Sequence, residues 1–136
     1  TDSCPELAPS VRHSLTDFDT YSFGMEKRSE GGTYRVLLVQ SSPIPKDTGF
    51  YTWTVEVQDQ NCDPLADATV VAEPRMPSHG HGTSPATTDG TPTGEDGRLE
   101  LVDMDLFMPG IWEVTLTVSG GGLGDDIVRF NFDLEG

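Results

Sequence analysis

Positive charge is scarce in this chain. Eight Lys and Arg stand against 23 Asp and Glu, for a net charge of −15. A surface this acidic repels phosphate, which argues against nucleic acid and anionic membranes as partners. It suits solubility, attraction of a basic partner, or concentration of cations. Long apolar runs are missing as well, and no segment approaches the roughly 20 residues needed to span a bilayer. Histidine is limited to His13, His79 and His81, too few for a copper–zinc dismutase sandwich. There is no sustained βαβ alternation and no convincing amphipathic helix, so α/β enzyme folds are not expected. No Gly-x-Ser-x-Gly elbow is present, no Gly-rich phosphate motif opens a helix, and "TTDGTPTGEDGR" lacks calcium-loop spacing. No nucleophile–base pair or open-site metal triad can be assembled from the motifs, so an enzyme is not expected.

What the chain does contain is turn residues and period-two strands. Its 136 residues include 15 Gly and 10 Pro, with 35 % hydrophobic residues, a mix suited to one all-β domain with many turns. Residues 1–20 show no period and read as a polar N-terminal arm; residues 21–136 read as the domain. "TYRVLLVQSS" (33–42) is a short apolar run rich in β-formers. "FYTWTVEVQD" (50–59) alternates, with Tyr51, Trp53, Val55 and Val57 on one face and Thr52, Thr54 and Glu56 on the other. "NCDPLADA" is a turn, and "ATVVAEPRM" (68–76) a strand stopped by Pro74 and Pro77. Residues 77–97 form a long loop, a length that is often functional. "GRLELVDMDLFMPG" (97–110) returns as strand and turn. "IWEVTLTVS" (111–119) and "IVRFNFDLE" (127–135) alternate again, with Trp112, Val114, Leu116 and Val118, then Val128, Phe130, Phe132 and Leu134, facing inward. The expectation is an immunoglobulin-like antiparallel β-sandwich of about seven strands.

The two cysteines, Cys4 and Cys62, fit one disulfide in an oxidising compartment, tying the arm to the middle of the domain. Two unpaired thiols in a reducing compartment are the alternative, and acylation of Cys4 a third, poorly served by "TDSC". The chain opens without Met and without a signal segment; the expectation is a mature or truncated form from which an export signal has been removed.

The chemistry concentrates in "EPRMPSHGHG" (73–82). In an extended chain, His79 and His81 present two imidazoles to the same side, with Gly80 between them offering no side chain. Met76 adds a thioether where Pro77 turns the chain. A second soft ligand, Met108, sits in "LFMPGIW". Thioether plus imidazole favours copper, the cuprous ion above all; zinc would accept the histidines but gains little from methionine. A blue-copper site would need a cysteine, and Cys62 in a disulfide is not available for one. Against the metal reading stands a bland one: a polar turn ordered by hydrogen bonds, with Met beside Pro as core packing. Trp112 has the same pair of readings, shield or core aromatic, and the core reading is the ordinary one. His13 has no ligand pattern around it and reads as an exposed residue.

The order "WTVEVQD", "PLADATVVAEPRMPSHGHG", "LFMPGIWEVTLTV" resembles the YtkA-like and FixH-like domains of bacterial exported and membrane-anchored proteins. The resemblance covers roughly residues 50–132. It implies an immunoglobulin-like sandwich outside the cytoplasm, periplasmic or secreted, and a link to copper handling, since FixH-like proteins are associated with assembly of haem–copper oxidases. On the matched motifs it implies Met76, His79, His81 and Met108 as ligands of one copper ion. The partner implied is a copper-donor or copper-acceptor protein. The competing expectation is a structural or protein-interaction module without metal.

Overall fold

A computed structural model describes residues 4–136; the first three residues of the expected arm lie outside the described residues. Ten strands are present: β1 (Met25–Arg28), β2 (Arg35–Ser42), β3 (Gly49–Gln58), β4 (Thr69–Met76), β5 (His81–Gly82), β6 (Thr88–Asp89), β7 (Thr91–Pro92), β8 (Arg98–Leu106), β9 (Gly110–Ser119) and β10 (Asp126–Leu134). One antiparallel sheet has the order β1-β2-β3-β8-β7. The other has the order β10-β9-β4-β5, with β6 also paired to β4. The fold is an all-β sandwich, and no helix occurs among the described residues.

Alternation explains the core. Tyr51, Trp53, Val55 and Val57 of β3 are buried, as are Trp112, Val114, Leu116 and Val118 of β9 and Val128, Phe130, Phe132 and Leu134 of β10. Side chains two apart share a face, so each strand delivers one apolar row to the space between the sheets. Trp53 meets Phe130 and Phe132 edge-on, with ring centroids 6.1 and 5.7 Å away. Trp112 is fully buried, as its core reading requires. In β8, one extra residue interrupts the pairing with β3, between the Trp53–Leu101 and Tyr51–Met104 pairs. Asp103 takes up this bulge with φ +56° and donates its N–H to Thr52 Oγ1.

Three expectations change. Pro74 does not bound a strand; it is buried inside β4, paired across from Val114 of β9. Its other side falls between the β6 pairs at Val71 and Ala72 and the β5 pairs at Arg75 and Met76, so its missing N–H breaks no ladder. Residues 77–97 are not structureless: three two-residue strands lie in them, handing the chain from one sheet to the other. His13 is not an isolated exposed residue. Its side chain is 22 % exposed, with Nδ1 2.9 Å from Asp17 and Nε2 2.8 Å from Asp19.

The arm is bonded along its length to the open edges of both sheets. Pro9 bridges to Arg28 of β1, and Arg12 forms a two-pronged pair with Glu113 of β9. The Asp19 N–H donates to the Asn131 carbonyl, and the Asn131 N–H donates back to the Asp19 carboxylate, both at 2.8 Å. Cys4 and Cys62 form the disulfide that fixes the start of the arm. At the same end of the sandwich, Asp126 accepts from the Ser29 hydroxyl and from the N–H groups of Gly31, Thr33 and Ile127.

Two carboxyls are perturbed by these contacts. Burial alone would raise the Asp126 pKa; the Ser29 hydroxyl and the three N–H donors outweigh it and hold the carboxyl below the ordinary range. Asp19 behaves alike: burial raises it, but the Asn131 N–H, Lys27 and His13 bring it lower.

Two expectations follow for stability. The disulfide closes a span of 58 residues, so reducing it should cost about 4 kcal/mol in the chain-entropy model, read from denaturant unfolding with and without dithiothreitol. A carboxyl depressed in the folded state contributes stability above its unfolded pKa of about 4, and the contribution vanishes as pH falls through the folded value. Asp126→Asn should therefore lower Tm by roughly 3–8 °C at pH 7, and the gap from the parent should shrink below about pH 4. An equal gap at pH 7 and pH 3 would mean the carboxylate charge contributes nothing.

Candidate functional site: two loops at one end of the sandwich

Strands β2, β4, β8 and β10 end where β3, β5 and β9 begin. Antiparallel pairing therefore gathers the turns after Met76 and after Leu106 at one end of the molecule, opposite the disulfide. The first turn is a tight hairpin. Met76 and His81 are direct cross-strand partners in β4 and β5. Between them, the N–H groups of His79 and Gly80 both donate to the Met76 carbonyl at 3.0 Å, and Gly80 closes the turn with φ +69°. Cross-strand partners project on the same face. Met76 is fully buried, so His81 is aimed at the interior edge while His79 stands exposed at the tip.

The second turn folds over the first. Met108 is half-buried and packs on the core; its carbonyl accepts from the Trp112 indole N–H at 2.9 Å. Gly110 has φ +127°, and a Cβ there would sit 2.7 Å from the Met76 methyl and 3.8 Å from His79 Nε2. The positive φ strains any residue but glycine there, and a Cβ would also press on the buried Met76 methyl, so the two loops approach closely at this point. His81 stacks on Phe107 (centroids 5.6 Å, planes 26° apart) and meets Trp112 edge-on at 6.0 Å. The His79 and His81 rings are 5.8 Å apart.

His81 carries an unmatched polar atom. Nδ1 lies 3.3 Å from the Gly82 carbonyl, and Nε2 is buried without a hydrogen-bond partner. In the neutral ring, donation from Nδ1–H to that carbonyl leaves the Nε2 lone pair unengaged. A buried, unpaired nitrogen is costly unless something occupies it. Among the described residues no group of three or more His, Cys, Asp or Glu is placed to hold a metal. An ion here would thus have two imidazoles, with any further protein ligands coming from the thioethers of Met76 and Met108.

The sequence motifs named Met76, His79, His81 and Met108, and all four lie in these two touching turns. Sequence reasoning passed over Phe107 and Gly110. Phe107 carried a usable signal, an aromatic beside a Met-Pro step, but its stacking partner lies 26 residues away in the chain. Gly110 is needed for its positive φ, and its approach to Met76 is a packing feature that the local sequence does not reveal. His13 takes no part; it serves the arm.

No curated protein and no solved structure matches the chain. A family model does: YtkA-like, over residues 28–117, a span that includes both turns. With well over half of its length matched and the two Met-Pro turns inside the match, the chain belongs to the YtkA-like family.

Proposed function

We propose that this protein is an extracytoplasmic copper-binding or copper-delivery domain that holds a cuprous ion at the two-turn end through Met76, His79, His81 and Met108. The observation that carries the reading is the buried Nε2 of His81, unpartnered and across the hairpin from the buried thioether of Met76. Soft sulfur with imidazole nitrogen favours Cu(I) over zinc, which would gain little from the methionines. The Cys4–Cys62 disulfide and the YtkA-like membership support a place outside the cytoplasm. His79, exposed at the tip, gives a donor or acceptor protein a ligand it can displace first; Met76, inside the core, holds the ion from behind.

A second reading, an interaction module without metal, is favoured by the stacking of His81 on Phe107 and its Nδ1 contact with the Gly82 carbonyl. Copper titration separates the two. Under a competing chelator, the parent should bind one Cu(I). Met76→Leu with His79→Ala should weaken binding at least tenfold, roughly the scale at which even supporting groups around a metal act; leucine keeps the core volume while removing the sulfur. Unchanged affinity in the double variant would sink the copper reading. A related test probes the turn itself. Gly110→Ala should destabilise the fold by about 1–3 kcal/mol through backbone strain and overpacking against Met76, measured by urea unfolding; a neutral effect would mean the turns are not locked together.

A further inference from the structure

Beside the two turns runs a groove of about 370 Å³, lined by Phe50, Pro85, Val102, Asp103 and Asp105 with the Thr and Ser residues of 83–88. Its walls lead to the same place. One wall begins at Thr83, two residues after His81 in β5. The other ends at Asp105, two residues before Phe107, the ring stacked on His81. Phe50 is paired directly with Asp105 across β3 and β8, which puts Phe107 at a diagonal position within reach of an aromatic side chain.

The groove surface is unusual for a solvated face. Phe50 is 62 % exposed and Val102 47 %, while Phe107 beside them is 46 % exposed. No Lys or Arg lines the groove. Asp103 and Asp105 form no ion pair among the described residues, although five of the chain's basic residues do pair with carboxylates elsewhere. Apolar side chains next to two unpaired carboxylates complement a segment that alternates basic and apolar residues.

We propose that this groove docks a basic, apolar segment of the protein that exchanges copper with this one, and that docking sets that partner's own metal ligands over His79. The proposal rests on the copper reading for its purpose, but the groove can be tested without metal. The probe is an acetylated Lys-Leu-Lys-Leu-Lys amide titrated into the metal-free, isotope-labelled protein, followed by amide shifts. The expected result is shifts concentrated at Phe50, Thr83–Thr88 and Val102–Asp105, with affinity reduced about tenfold by Asp103→Asn with Asp105→Asn and reduced also by Phe50→Ser. Asparagine tolerates the positive φ of Asp103, so the double variant should keep the bulge. Shifts scattered over the acidic surface, or binding indifferent to both sets of variants, overturn the docking site whatever the copper titration gives. Copper transfer is then compared for one Met-rich acceptor peptide tagged with Lys-Leu-Lys-Leu-Lys or with Ser-Leu-Ser-Leu-Ser. Transfer about tenfold faster to the basic form is expected, and equal rates overturn the link between groove and exchange.

Discussion

The register between β4 and β9 is the constraint on which the rest depends. The pairs run from Thr69–Ser119 to Arg75–Glu113. Within them Val70 faces Val118, Ala72 faces Leu116 and Pro74 faces Val114, all buried. One step beyond the last pair come Met76 and Trp112, both fully buried. A slip of β4 by one residue would turn the exposed Arg75 into the core and Met76 out to solvent. The same slip would carry the hairpin after Met76 away from Gly110, Phe107 and Trp112. Packing of the sandwich and assembly of the two turns are therefore set by one pattern of hydrogen bonds.

The long strands were legible because alternation is a local signal. β3, β9 and β10 buried the rows that their sequences marked. The meeting of the two Met-Pro turns was legible only as an antiparallel consequence: strands that end there must be followed by strands that begin there. What escaped was non-local or short. β1 has four residues, all partly buried, too few for a period to show. Pro74 looks like a strand stop until the gap between β5 and β6 is seen. Asp19, which holds His13, is itself held by Asn131, 112 positions away, and no window along the chain contains both. The unmatched nitrogen of His81 is likewise a property of packing, invisible in a His-x-His pattern.

Charge is distributed with equal economy. Arg12, Lys27, Arg35, Arg98 and Arg129 each pair with a carboxylate of the fold. Arg28 instead donates to the Gly32 and Leu7 carbonyls, fastening the arm. With most basic side chains engaged internally, the excess of acid is left to solvent, and the field outside the molecule is negative. Such a field draws cations and basic partners inward and keeps polyanions away. It acts without contact, so it follows from the net charge alone.

The two ends of the sandwich divide the demands on it. At one end the disulfide and the bonds of Asp126 fasten the chain; at the other, tight turns present His79 and Phe107 to solvent over buried Met76 and Trp112. For an exchanging metal domain, that contrast has a physical logic. An ion held only by exposed ligands is lost to water, and one enclosed on every side cannot be passed on. A thioether fixed in the core costs no reorganisation when the ion arrives, because its position is already set by packing. An imidazole at a hairpin tip can leave without disturbing that packing. On the copper reading, the rigid half supplies retention and the exposed half supplies transfer, and the glycine between them allows both to reach one point.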